Sequence, residues 1–179
     1  GGQRVLRLNP TYRLLGPPPL PPPTLVELDR SRWELLASSP QAEWAVDGDP
    51  DTAWTTGHEQ PKGSFFRIRF AESQPVARVS MLTNPLGHFP MRFKLRGKPL
   101  GGESDWVDLP FDLRQSYDDF FRALLHRPRE ATLDIDLDGR PLTVLQIKVT
   151  EDDSFRMPWS MAELRVYRDA GSSSTRQDR

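Results

Sequence analysis

Residues 43–56 read EWAVDGDPDTAWTT, and the interpretation of the whole chain turns on them. Asp47-Gly48-Asp49-Pro50-Asp51-Thr52 forms a tight, oxygen-rich turn between apolar flanks. Glycine and proline set its backbone, and aspartate side chains can return hydrogen bonds to the backbone two residues on. Two readings of this turn stand side by side. One is a plain Asx-turn whose carboxylates satisfy local amides. The other is a loop curled around a hard cation, because calcium takes six to eight oxygens and Asp47, Thr52 and several carbonyls are to hand. An EF-hand is excluded, since its alternating Asp/Asn ligands and closing glutamate are missing.

Outward from this turn the pattern has period two, broken by turns. Strands are predicted at 33–38 (WELLAS), 65–70 (FFRIRF), 76–82 (VARVSML), 91–96 (MRFKLR), 106–109 (WVDL), 132–137 (TLDIDL), 144–150 (VLQIKVT) and 163–168 (ELRVYR). FFRIRF and TLDIDL alternate cleanly, as strands with one wet face do. The clusters DGDPD, QPKG, NPLG, GKPLGG and LDGRP separate the strands. Only 113–127 (LRQSYDDFFRALLHR) reads as helix, with Leu113, Phe120, Phe121, Leu124 and Leu125 able to share a face; its mixed charges fit packing on a sandwich better than a membrane surface. The predicted fold class is all-β: a sandwich or jelly roll of about eight strands with one short helical insertion.

The ends differ from this middle. Residues 1–15 read as a segment of a preceding region, and 16–30 as a proline-rich linker, because GPPPLPPP at 16–23 favours a stiff polyproline II spacer. The domain is expected over 31–168, and 169–179, with AGSSSTRQDR from 170, as a disordered tail. Gly1-Gly2-Gln3 shows no charged segment before an apolar core, so the chain reads as an excised fragment, with any export signal upstream.

A net charge of −1 with both signs interspersed argues against nucleic acid as partner. Without cysteine there is no disulfide, thiolate zinc site or cysteine nucleophile. No apolar run is long enough for a transmembrane segment. Hydrolase chemistry finds little support. DLDGRP and EDDS could supply paired carboxylates, but acids in turns are ordinarily just solvated, and no G-x-S-x-G elbow, phosphate loop or H-E-x-x-H helix is present.

The stretch A-x-D-G-D-P-x-T-x-W, Ala45 to Trp54, resembles the signature of discoidin domains (coagulation factor V/VIII type C) and the similar family 32 carbohydrate-binding modules. TTGHEQPKGSFFRIRF, VARVSMLTNPLGHFPMRFKLRG and WSMAELRVY (159–167) resemble further family segments in the same order, over about 33–168. The resemblance implies a galactose-binding-like jelly roll with neighbouring termini and no enzymatic activity. It also implies a structural Ca2+ site formed by the Trp44 carbonyl, Asp47, the Asp49 carbonyl, Thr52, the Ala162 carbonyl and Glu163.

Ligand binding in that family lies on loops at one end. The candidates are His58, Glu59, Asn84, His88, Phe89, Arg92, Phe155, Arg156 and Trp159, which mix the aromatic and polar groups a sugar needs. Taken singly, Trp159 reads equally as rim packing, Phe89 as core and Arg156 as a surface ion pair. The expectation is a non-catalytic module that binds a cell-envelope or extracellular carbohydrate. It would be joined to parent protein domains, such as a membrane glycosyltransferase, in a bacterial extracytoplasmic setting (periplasmic or cell surface). The alternatives are a structural or protein-interaction module without a small ligand, and a phospholipid-surface module using Leu86, Phe89 and Met157.

Overall fold

A computed structural model of the chain describes residues 24–57, 59–83, 88–101, 105–128, 130–152 and 157–171. Two antiparallel sheets face each other. One contains β1 (Leu25–Glu27), β11 (Glu163–Asp169), β5 (Arg78–Leu82) and β8 (Thr132–Asp136), in that order. The other runs β2 (Glu34–Ala37), β4 (Phe65–Pro75), β9 (Pro141–Val149), β6 (Phe93–Pro99) and β7 (Val107–Leu109). A two-stranded ribbon of β3 (Trp54–Thr55) and β10 (Ser160–Met161) sits at one edge. This is the expected jelly-roll sandwich, with short extra strands β1, β3 and β10 and with β4 and β9 longer than the periodicity suggests.

The alternation in the sequence is the alternation in burial. In β4, Phe66, Ile68 and Phe70 point inward and Phe65, Arg67 and Arg69 outward. Across the pairing, Phe66 faces Ile147 and Ile68 faces Leu145, so both central strands bury the same face. Leu133, Ile135, Val79, Met81, Leu164 and Val166 cover them from the opposite sheet. Burying each such side chain contributes about 1.5–3 kcal/mol, which is why one-residue slips in register are disfavoured. Gly97, in β6, makes room for Leu142: a Cβ there would lie 2.6 Å from Leu142 Cδ2, and that side chain would have to shift.

The helix α1 (Leu113–His126) forms where the period changes from two to 3.6. Asp112 caps it, its carboxylate accepting a hydrogen bond from Gln115 N at 3.0 Å. Phe120 is buried against the core, and the helix lies beside β8.

The domain boundary differs from expectation. Residues assigned to the linker at 16–30 include β1, which pairs Leu25 with Asp169 and Glu27 with Tyr167. Leu28 is buried, and Ala170 N donates to the Thr24 carbonyl at 2.8 Å. The fold therefore starts by Thr24 and extends through Asp169 into the predicted tail. A three-residue strand next to prolines is too short to show period two. Residues 16–23 and 172–179 lie outside the described residues.

The packing makes a direct prediction. Ile147→Ala empties a site in the middle of the core and should cost about 2–5 kcal/mol in urea unfolding. Lys148→Ala, one residue on and facing out, should change stability by no more than about 0.5 kcal/mol.

Candidate functional site

Two regions at the ends of the strands bring the expected residues together: the seam where the chain's ends meet, and a rim of loops. At the seam, the 47–52 turn is internally satisfied. Asp47 accepts hydrogen bonds from Asp49 N at 2.9 Å and from Thr52 Oγ1 at 2.8 Å. Thr52 Oγ1 also lies 3.0 Å from the Asp49 carbonyl and 3.4 Å from that of Trp44. These bonds, first the Asp49 amide and then the Thr52 hydroxyl, hold the Asp47 carboxyl below its usual range, with a further contribution from the charge of Arg30. Gly48 makes the turn at φ 83, a conformation open to glycine.

Arg30 is the residue that joins the turn to the last strand. Its Nη1 donates to the Val46 carbonyl at 3.3 Å and to Glu163 Oε1, which also form an ion pair. A second contact, Nε to Glu27 Oε1 at 3.4 Å, ties in β1. The Glu163 side chain is 4% exposed. Four of the oxygen-bearing residues expected around calcium (Trp44, Asp47, Asp49 and Thr52) therefore do converge, and Glu163 lies beyond Val46, but with a guanidinium between them. Ala162 is buried, its amide bonded to the Leu82 carbonyl at 2.8 Å. Arg30 takes up Glu163 Oε1, one of the two carboxylate oxygens that the resemblance assigns to calcium. No group of three or more His, Asp or Glu side chains is arranged to hold a metal among the described residues.

At the rim, Gln60 gathers three loops. It is 1% exposed. Its Nε2 donates to the carbonyls of Phe89 at 2.9 Å and Pro158 at 3.4 Å, and its Oε1 accepts from Met91 N at 3.0 Å. The helix holds the middle loop from the other side. Tyr117 Oη donates toward the carbonyls of Pro90 and Met91, the latter at 3.0 Å. Phe89 sits in an aromatic cluster with Tyr117, Phe120 and Phe121. Further pins are Lys62 N to Asp152 Oδ1 at 2.7 Å and Arg92 Nη1 to Glu151 Oε2 at 2.7 Å. Sequence reading missed Gln60, Tyr117 and Arg30, since each acts through partners far away in the chain.

The candidate ligand residues separate accordingly. Glu59 and Arg92 are exposed on the rim, and His88 is half-buried there. Burial lowers the His88 pKa below its usual 6.5, which keeps the imidazole neutral at pH 7. Trp159 is a correction: it is 0% exposed and packs edge-on against Trp54 at 4.9 Å. Its amide is bonded to Thr56 Oγ1 at 2.9 Å, so it braces the rim from within and offers no face to a ligand. Phe89 is core as well. His58, Asn84, Phe155 and Arg156 lie outside the described residues, as does Leu86.

No family model matches this sequence, and no curated protein matches it. Among solved structures, the chain is similar to the family 32 carbohydrate-binding module of NanJ from C. perfringens, solved with galactose. That match has 13% identity and a TM-score of 0.59 over 81% of this chain and 100% of the other. It is also similar to a chitosan-binding module from a Paenibacillus chitosanase/glucanase, at 18% identity and TM-score 0.55 over 76% and 95%. A third is an F5/8 type C domain from Bacteroides fragilis, at 15% identity and TM-score 0.53 over 81% and 97%. The chain thus has the galactose-binding-like, discoidin-type fold.

Arg30→Met leaves a buried carboxylate unpaired and should lower stability by about 3 kcal/mol in urea unfolding; Glu163→Gln added to it should recover part of that loss. Burial raises the Tyr117 phenol above its usual 10.0. Its contribution is fully present below pH 10, and is lost as pH rises and the unfolded chain ionises first. Tyr117→Phe should therefore cost about 1 kcal/mol at neutral pH and flatten the loss of stability at alkaline pH, measured by denaturant melts across the pH range.

Proposed function

We propose that this chain is a non-catalytic carbohydrate-binding module that reads a glycan at its rim. The observation that carries the reading is the rim's construction: three loops held by the buried Gln60 and backed by Tyr117, with Glu59, His88 and Arg92 placed around the outside. Sites of this kind gain affinity from polar groups set in advance, which lowers the ordering cost on binding. Solved structures of the same fold include modules described as bound to galactose and as chitosan-binding. That supports a saccharide as the ligand class.

Several carboxylates that a hydrolase would need are engaged in holding the fold. Asp134 accepts from Ser80 Oγ at 2.6 Å, and Asp136 from Arg78 Nε at 2.6 Å. The Asp138 carboxyl is held below its usual range, chiefly by its hydrogen bond from Arg140. A general acid needs the opposite shift. At the seam, our reading gives Arg30 the part of the structural cation, because its guanidinium bonds both Val46 and Glu163. We place the module outside the cytoplasm, as an accessory to a larger protein, where tethering compensates for weak single-site affinity. No helix among the described residues is long and apolar enough to cross a membrane.

Titration calorimetry against a panel of neutral mono- and oligosaccharides tests the reading. At least one galacto- or amino-sugar should bind, and Arg92→Ala should weaken it about tenfold or more, as loss of a charge-assisted hydrogen bond does. No heat from any member of a broad panel would favour the protein-interaction alternative. Flotation of the chain with liposomes would favour the lipid one.

A further inference from the structure

The outer face of the five-stranded sheet is strongly cationic, in contrast to the chain's net charge of −1. The strand register puts its residues in rows. One row runs Leu36, Arg67, Gln146, Arg96 and Asp108; the next has Glu34, Arg69, Val144 and Lys98; a third sets Phe65, Lys148 and Lys94 side by side. Among the described residues, six cations, Arg67, Arg69, Lys94, Arg96, Lys98 and Lys148, thus share the strands of this face with two carboxylates. Glu34 pairs with Arg69, and Asp108 pairs with both Lys94 and Arg96.

This arrangement works against stability. Lys94 stands directly opposite Lys148, and like charges in that position repel. Arg67 and Lys148 have no ion-pair partner among the described residues. Arg67 Nε is buried with no hydrogen-bond partner among them either. In the middle lies Trp106, half-buried. The Arg67 and Arg96 guanidinium carbons and Lys98 Nζ are 5.0, 5.3 and 5.2 Å from its ring centre. A shallow depression of about 390 Å³, with Arg69, Lys98 and Thr143 in its wall, opens at one end of this face. Excess positive charge around an aromatic plate is the complement of a sugar polymer that carries negative groups: the ring suits the C–H face of a pyranose, and guanidinium forks suit carboxylates.

We infer that this sheet face binds a carboxylate-bearing polysaccharide, with Arg67, Arg96 and Lys98 holding its carboxylates around the Trp106 platform. The site centres on Trp106, beside Lys98, whereas the rim's Arg92 precedes the start of β6. That the polyanion is a glycan rests on the carbohydrate reading above, whereas the preference for negative charge rests on the face itself. Arg67 and Arg96 stand two strand spacings apart, about 10 Å, so a chain crossing the strands meets both. Nucleic acid is the less favoured occupant, because the face has one central indole and the chain has no overall basic excess.

Affinity electrophoresis of the 179-residue chain through gels containing polygalacturonate, dextran or no polymer tests the inference, with titration against a single-stranded oligonucleotide alongside. Polygalacturonate should retard the chain and dextran should not act through this face. The retardation should weaken as salt is raised. Arg67→Gln and Lys98→Gln should each reduce it by about fivefold or more, with Arg140→Gln, on a separate turn, as an unaffected control. Thermal melts establish that the variants are folded; should Arg67→Gln not fold, the Lys94→Gln/Lys148→Gln pair, which relieves repulsion, carries the test. Absence of retardation, equal retardation of the variants, or tighter binding to the oligonucleotide would overturn it. Retardation sensitive to Arg67 with no neutral sugar bound would uphold this inference and reject the rim reading.

Discussion

One guanidinium holds the ends of this fold together. Arg30 lies just after the first strand, and its partner Glu163 opens the last one, 133 residues later. The same nitrogen bonds the Val46 carbonyl at the base of the DGDPDT turn. A nearly buried carboxylate without a partner would be costly, so the pair couples three segments: β1 stays on β11, the turn stays beside β11, and the β3–β10 ribbon keeps its register. Everything at the rim is built from that ribbon outward, because Thr56 and Trp159 bond to each other immediately beyond it.

The rim and the sheet face solve different physical problems. At the rim, buried polar groups replace regular strand pairing. Gln60 satisfies two carbonyls and one amide that the loops would otherwise leave unpaired, and such fully satisfied networks rigidify loops that have no ladder of their own. The helix adds the apolar half of the same task through Phe89, Phe120 and Tyr117. On the sheet face the backbone is already rigid, and what is arranged is charge. Like charges sit side by side at the expense of stability, and a polyanion would relieve that repulsion. A rim pinned at Phe89, Met91 and Pro158 suits recognition of one sugar; a charged plane suits attraction of a polymer.

Much of the fold was legible in the sequence. FFRIRF and TLDIDL alternate because one face of each is core, and the apolar stripe of 113–127 marks the helix. The DGDPDT turn does lie beside the AELRVY strand, as its resemblance to discoidin domains implies. What was not legible depended on pairings across long separations. Nothing in LVELDRSRW shows that Arg30, rather than Arg32, meets Glu163. Trp159 reads as a rim aromatic from its loop context, but the perpendicular packing on Trp54 makes it core. The ring of cations around Trp106 exists only once β4, β9 and β6 are in register, so no local motif could announce it.

The fold's closure rests most on the bond of Arg30 to Glu163 at the seam. Calorimetric titration of calcium into the EDTA-dialysed chain, with thermal melts at each end point, tests this most directly. Closure by Arg30 predicts no binding heat and an unchanged Tm up to about 1 mM calcium, since an ion bound to the native state alone would raise the Tm as its concentration passes Kd. Stoichiometric calcium binding with a rise in Tm would contradict it, and would return Glu163 to a metal.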